Sequence, residues 1–379
     1  MSWPRRKNFR NNSNWCLAQV SELAHPLLKL WTRVRSSRSP SPPAQWRKAL
    51  LIGSNHIGDV LYNTASLPFL AQGLPQCSFH FMAPEPAAGA LDHNPHLNRI
   101  HRFSRPVPGS EEEKLLIDEC YDAILCYNSG YHIADLLFAA RTGIPNRIGY
   151  AHKGFSGLLT YPLRPDSFQP FPSYFRGLVS QLTGFPPTWS LRPLLYPQLS
   201  NFAETCLLPP CDRQDVAFFV TTRQPDAKKW PTERFVELGQ WLQEVYPVRI
   251  VLSGASVDRE ELENLRSKIG GACVVNAGLM SLLGLAAWLR QCRMAFALDS
   301  AGRHLANAAN LPVFYFRNLR SRASETGSYL ENEVDLCPPN EFVNPMEQQI
   351  LLDSISFASV QKKVEERFPI SRSFPDSRL

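Results

Sequence analysis

The chain is 379 residues long and 44% hydrophobic, enough for two globular domains with separate cores. Its nine cysteines show no CxxC spacing, no apolar run reaches the roughly 18 to 20 residues that cross a bilayer, and no export signal is evident, which together exclude a disulfide scaffold and a membrane span and point to a reducing cytoplasm. The net charge of +6 is uneven: residues 1–48 hold ten Lys and Arg against Glu22 alone, which is +9 and leaves −3 for the rest.

The basic extension, residues 1–46, carries Val20, Leu23, Ala24, Leu27, Trp31 and Val34 at helical spacing, with Lys29, Arg33, Arg35 and Arg38 nearby and the Ser/Pro-rich SSRSPSPP behind them. A short amphipathic helix on a tether is expected. Two roles stay open for it: a peripheral anchor on anionic lipid at the inner face of the cytoplasmic membrane, or a helix packed on the body with its arginines in water. Pro26 argues against a long helix. Nucleic acid is not an expected partner, because aromatic, basic recognition surfaces are lacking.

From Lys48 the pattern alternates between strand and helix. ALLIG (49–53) reads as a strand, followed by a helix carrying Val60, Leu61, Ala65 and Leu67; SFHFMA, YDAILCY (121–127) and RIGYA read as further strands, with the helical HIADLLFAART between the last two. This makes a βαβ domain over residues 47–185. A Pro-rich segment, 186–212, follows as a linker. The alternation then restarts over 213–345, with strands at VAFFV (216–220), VRIVLSG (248–254), CVVNA, MAFALD and LPVFYF. Residues 346–379 read as a helix that returns to brace the first domain, then a mobile tail. The fold class is α/β, two parallel-sheet domains facing each other across a cleft.

Neither domain opens with GxGxxG, and no GxxxxGK[ST] or DxD occurs. Asp92, His93, His96 and His101 cluster in LDHNPHLNRIH, but the pattern suits turn and cap chemistry, so no metal site is expected. A phosphate-bearing ligand must then be held by cations and backbone N–H groups. Two places offer them. VTTRQPDAKKWP places Thr221, Thr222, Arg223, Lys228 and Lys229 in a polar loop ahead of a helix starting near Pro231. LDSAGRHLANAAN places Asp299, Ser300 and Gly302 at a helix start whose N–H groups and dipole attract phosphate, with His304 one step further on. In the first domain, LLIGSNHIGDV delivers a single carboxylate, Asp59, from a strand end to a helix start, where ligands of α/β sheets bind.

Five stretches in order, IGDVLYNTASLPFL (57–70), RIGYAHKGFSGLL (147–159), AKKWPTERFVELGQWL (227–242), VLSGASVDRE (251–260) and DSAGRHLANAANLPVFYF (299–316), resemble glycosyltransferase family nine, the ADP-heptose:lipopolysaccharide heptosyltransferase group. The resemblance implies a GT-B fold of two Rossmann-like domains, with the acceptor on 47–185 and the nucleotide sugar on 213–345. It implies an inverting, metal-independent transfer without a cofactor, from ADP-heptose or a similar sugar nucleotide to an acidic lipopolysaccharide core or related surface glycan. Asp59 matches the family's catalytic base, and Lys228 its contact to the departing diphosphate. Asp299, Ser300, Ala301, Gly302 and His304 match its Asp-(Ser/Thr)-Gly-x-x-His element, with Thr221 and Thr222 as phosphate donors and Asp258 as a ribose contact or a helix cap. Arg147 and Lys153, beside Arg141 and His152, are the acceptor-side cations. Two positions depart from the family: Ala301 stands where Gly is usual, with Gly302 displaced by one, and Arg317 follows FYF where Gly usually continues. A transferase of the same fold using another nucleotide sugar, or a silent membrane-associated binding protein, therefore remains open; retention of Asp59, Lys228 and His304 argues against the silent protein.

Overall fold

The computed structural model describes residues 20–36, 38–127, 133–150, 154–163, 174–185, 190–221, 229–317, 327–338 and 352–369. The chain divides into two units, Met1–Gln198 and Leu199–Leu379, so the Pro-rich segment expected as a linker contains the division. Among the described residues no cysteine forms a disulfide, and no helix is long and apolar enough to cross a membrane.

The first unit holds a parallel six-stranded sheet. Its strands are β1 (Lys48–Ile52), β2 (Ser78–Met82), β3 (Arg99–His101), β4 (Ala123–Cys126), β5 (Asn146–Tyr150) and β6 (Tyr161–Leu163). They lie in the order β3-β2-β1-β4-β5-β6, with Ala49 paired to Phe79 on one side and Ala123 on the other. Strands covered on both faces read as unbroken apolar runs, and the last four residues of β1 are all buried. β6 contains Pro162, which lacks a ladder donor and is tolerated because β6 is an edge strand.

The second unit repeats the arrangement with β7 (Gln214–Phe219), β8 (Val248–Gly254), β9 (Cys273–Ala277), β10 (Met294–Ala297), β11 (Val313–Phe316) and β12 (Glu333–Leu336), again all parallel, in the order β12-β11-β10-β7-β8-β9. Phe218, Phe296 and Phe314 from three adjacent strands form one run of ring contacts, edge-on between Phe218 and Phe296 at 5.2 Å and stacked between Phe296 and Phe314 at 4.9 Å. Burying each such side chain contributes about 1.5–3 kcal/mol, which makes the sheet a firm platform for its loops.

In both units the strand order reverses beside the first strand, between β1 and β4 and between β7 and β10. Helices leaving the two strands depart to opposite faces there and open a crevice at the carboxyl ends, the usual ligand position in open parallel sheets.

Pro26 falls in the first turn of the helix His25–Arg35, after the turn at Ala24 that interrupts the helical residues 20–23; there its missing N–H costs little, and the helix is as short as the sequence implies. The C-terminal helix Phe357–Arg367, capped by Ser356 Oγ on the Ser359 N–H at 3.2 Å, buries Val360 and Val364 in the second unit's core. Trp230 Nε1 donates to the Ile355 carbonyl at 2.9 Å and fastens the approach to that helix.

Candidate functional site

At the first unit's switch point the chain leaves β1 through Gly53–His56 and enters the helix Ile57–Thr64. Asp59 lies in the first turn, half-buried. The cap position belongs to His56, whose N–H is donated to Ser54 Oγ at 3.1 Å, and the helix has no side-chain cap. Asp59 therefore does not act as a cap, and among the described residues its carboxylate has no hydrogen-bond or ion-pair partner. Residues 52–56 also line a cavity of about 130 Å³ with Met82, Pro84, Phe103, Ser104, Arg105 and Asp135, the last two forming an ion pair.

At the second unit's switch point, Thr221 follows β7 and the helix Ala301–Ala308 follows β10. Leu298 N–H donates to the Phe219 carbonyl at 3.1 Å, which holds the two strand ends side by side. Ser300 is the N-cap residue, in extended conformation, and its hydroxyl does not cap its own helix. It lies beside the first N–H groups of the helix, which lack intrahelical acceptors. The glycine one place late relative to the family pattern has a steric reason: a Cβ on Gly302 would stand 2.1 Å from Phe219 Cγ. Gly302 thus lets the helix start press against the end of β7. Gly302→Ala is expected to cost about 1–3 kcal/mol by overpacking and to weaken nucleotide binding. Thermal melts with and without ADP check this, and unchanged melts would mean that the helix start is not pinned there.

Asp258 Oδ2 accepts from the Ala255 N–H at 2.8 Å and from the Thr221 hydroxyl at 3.1 Å. The carboxylate so ties the turn after β8 to the loop after β7. A Cβ on Gly254 would lie 2.9 Å from that oxygen, so glycine admits the carboxylate here. The structure gives Asp258 a bracing position that leaves Thr221 as its hydrogen-bond donor.

His304 is 4% exposed and shares a 3.1 Å hydrogen bond between Nδ1 and Tyr329 Oη. Burial, and then the charge of Arg303, holds its imidazole well below the usual histidine range. That shift favours the neutral ring, which offers hydrogen bonds and no counter-charge. Behind it lies a buried polar network with no counterpart in the sequence reading. Arg303, fully buried, donates from Nε and Nη2 to Glu333 Oε1 and Oε2 at 2.5 and 3.1 Å, and from Nη2 to the Gly327 carbonyl at 2.8 Å. Its guanidinium carbon stands 3.5 Å from the Tyr315 ring centroid. Asn307 Nδ2 donates to Glu333 Oε1 at 2.8 Å and to Tyr329 Oη at 3.0 Å, and Tyr329 N–H donates to Glu333 Oε2 at 2.8 Å. Glu333 is thereby linked through Tyr329 to the orientation of His304.

Several other sequence-derived positions are engaged within the fold. Arg147 is 6% exposed and donates to the Leu158, Ile144 and Pro145 carbonyls at 2.7, 2.7 and 3.2 Å, so the structure uses it to fasten β5 to the following turn. Lys229 pairs with Glu261 at 3.0 Å near the surface. Arg317, at the end of β11, is buried and pairs with Asp335 of β12 at 2.7 Å; burial alone would lower its pKa, but Asp335 raises it. Asp299 and Ala301 flank Ser300 at the same strand end. Thr222, Lys228 and Lys153 lie outside the described residues. Among the described residues no three His, Cys, Asp or Glu side chains come together; His101, from the LDHNPHLNRIH cluster, instead shares the Tyr121 hydroxyl with His80, each at 2.8 Å.

Residues 113–316 match the family described as Glycosyltransferase family 9 (heptosyltransferase). The chain is 26% identical over 296 residues to lipopolysaccharide heptosyltransferase 2 of Escherichia coli strain K12, covering 70% of this chain and 81% of that protein. It is also 26% identical over 298 residues to the protein of the same name from Salmonella typhimurium, at the same coverage. Among solved structures it is similar to a family 9 glycosyl transferase from Veillonella parvula, with TM-score 0.70 and 17% identity over 84% of this chain and 96% of that one. It is likewise similar to the E. coli ADP-heptose lps heptosyltransferase II, with TM-score 0.66 and 21% identity over 84% and 99%. At these identities the structures speak to fold, and with the two reversed-order parallel sheets they give the GT-B class. The family match spans more than half of the sequence, and the chain belongs to glycosyltransferase family 9.

Proposed function

We propose that this chain is an inverting glycosyltransferase that moves a heptose or similar sugar from an ADP-sugar to a hydroxyl of an acidic lipopolysaccharide core or related surface glycan. The observation that carries the reading is the half-buried carboxylate of Asp59, held at a helix start beside the first switch point and left without a partner among the described residues. Asp59 takes the proton of the acceptor hydroxyl as that oxygen attacks the anomeric carbon. The bond from this carbon to the diphosphate oxygen breaks, and its electron pair leaves with the nucleoside diphosphate. The charge developing on the leaving group is met by the helix start at Ser300–Gly302 and by Lys228. One displacement inverts the anomeric centre and needs no covalent enzyme intermediate.

The E. coli and Salmonella relatives, named for lipopolysaccharide and heptose, support the choice of donor and acceptor class. A second nucleotide sugar is favoured by one observation, the pairing of buried Arg317 at the end of β11, where the family resemblance expects glycine, with half-buried Asp335. A thermal-shift screen against ADP-, GDP- and UDP-sugars, followed by transfer assays with and without excess EDTA, tests the reading. Selective stabilisation by the ADP-sugar and EDTA-resistant transfer are expected. Preference for another base moves the assignment to the second reading. Loss of turnover on chelation, restored by a divalent ion, sinks the metal-independent mechanism, and binding without transfer to any acceptor leaves a silent binding protein.

A further inference from the structure

The N-terminal helix docks the wrong way round for a helix that serves the core. Its helical path begins at residue 20 and continues through His25–Arg35. The side against the first unit is largely polar. Ser21 Oγ accepts from the Phe155 N–H at 2.9 Å. Glu22 accepts from the Ser156 N–H at 3.1 Å and from its hydroxyl at 2.9 Å. His25 Nδ1 shares a 2.9 Å hydrogen bond with the same hydroxyl. A Cβ on Gly157 would lie 2.8 Å from the His25 carbonyl, so the approach is close. Further along, Thr32 is buried.

The apolar stripe faces out. Leu23, Leu27 and Val34 are 84, 70 and 78% exposed, and Val20, Leu30 and Trp31 extend the same face. At 100° per residue these six fall within one arc, with Lys29 and Arg33 following on one side and Arg35 on the other. Arg35 lies over the Trp31 ring, 5.4 Å from its centroid. Residues 1–19 add Arg5, Arg6, Lys7 and Arg10 and no acidic residue.

We propose that this face is a docking surface for an anionic lipid bilayer, with the apolar stripe entering the interface and the flanking cations meeting the headgroups. Charge complementarity selects that occupant: an apolar stripe bordered by basic side chains is the pattern of helices that lie in a charged membrane surface. The polar hydrogen bonds to Phe155 and Ser156 fix the helix on the first unit with its apolar side outward. In the sequence, Phe155 and Ser156 come two and three residues after Lys153, which the family resemblance assigns to the acceptor.

The test uses the full chain with vesicles of phosphatidylglycerol and phosphatidylcholine, against phosphatidylcholine alone, read by co-sedimentation, with sedimentation velocity in the absence of lipid. Binding to the anionic vesicles that weakens with salt is expected. The paired substitution Leu27→Gln with Leu30→Gln, both at exposed positions, should lower partitioning roughly tenfold or more, and Leu23→Gln with Val34→Gln should do the same. Equal binding by wild type and both variants overturns the proposal. So does a lipid-free dimer that the variants dissociate, because the face would then belong to a second copy.

Discussion

Replacing Asp59 by Asn is expected to lower the single-turnover transfer rate by roughly a hundredfold or more, the usual contribution of a general base, while nucleotide-sugar affinity stays near that of the wild type. The structure makes this a clean substitution. Asp59 caps nothing, so Asn removes no hydrogen bond that holds the helix. The lost interaction of a carboxylate with the helix dipole is worth only about 0.3–1 kcal/mol. Donor affinity by calorimetry and transfer rate in one turnover, measured on the same preparation, separate the two effects. Near-normal transfer by the variant would return Asp59 to a structural role and send the search for the base to the other loops of the first unit.

The second large effect is expected at Glu333. Glu333→Ala leaves the Arg303 guanidinium fully buried without its carboxylate, and breaking such a pair costs about 3–5 kcal/mol. Against a whole-domain stability of about 5–15 kcal/mol the variant should melt far below the wild type. The pair itself need not be net stabilising, since well-packed apolar replacements of both members are often neutral or better. Arg303→Met with Glu333→Leu should therefore regain much of the lost stability. Nucleotide affinity should stay impaired in both variants, because Glu333 also accepts from the Tyr329 N–H and Tyr329 orients His304. Full recovery of nucleotide affinity in the double variant would separate the network from the site and reduce it to packing.

The sequence displayed most strands of both sheets because their residues are apolar on both faces. β3, β6 and β12 escaped it for stated reasons. Two are three residues long, one contains proline, and β12 carries Glu333 and Asp335, so none makes an apolar run. The loops of the candidate site were legible because glycine, hydroxyl and charged residues interrupt the pattern just where strands give way to helices. The Arg303–Glu333 network was not, because its partners lie 30 residues apart and meet only through the folding of the chain around β11. Arg147 illustrates the reverse difficulty. Its charge is plain in RIGYA, but burial and three carbonyl acceptors determine what that charge does.

The contact between Gly302 and Phe219 also restricts the order in which this chain can change over generations. A side chain at position 302 would meet both the Phe219 ring, at 2.1 Å, and its Cβ, at 2.6 Å, so trimming the ring alone does not clear the space and the end of β7 must also shift. Losing the ring first, as in Phe219→Ala, opens a void at a buried strand end and costs about 3–5 kcal/mol. Each single step is destabilising, and removing the ring does not free position 302, so the two positions are tied together through the backbone at the end of β7. Descendants that move the glycine back by one place must first gain stability elsewhere.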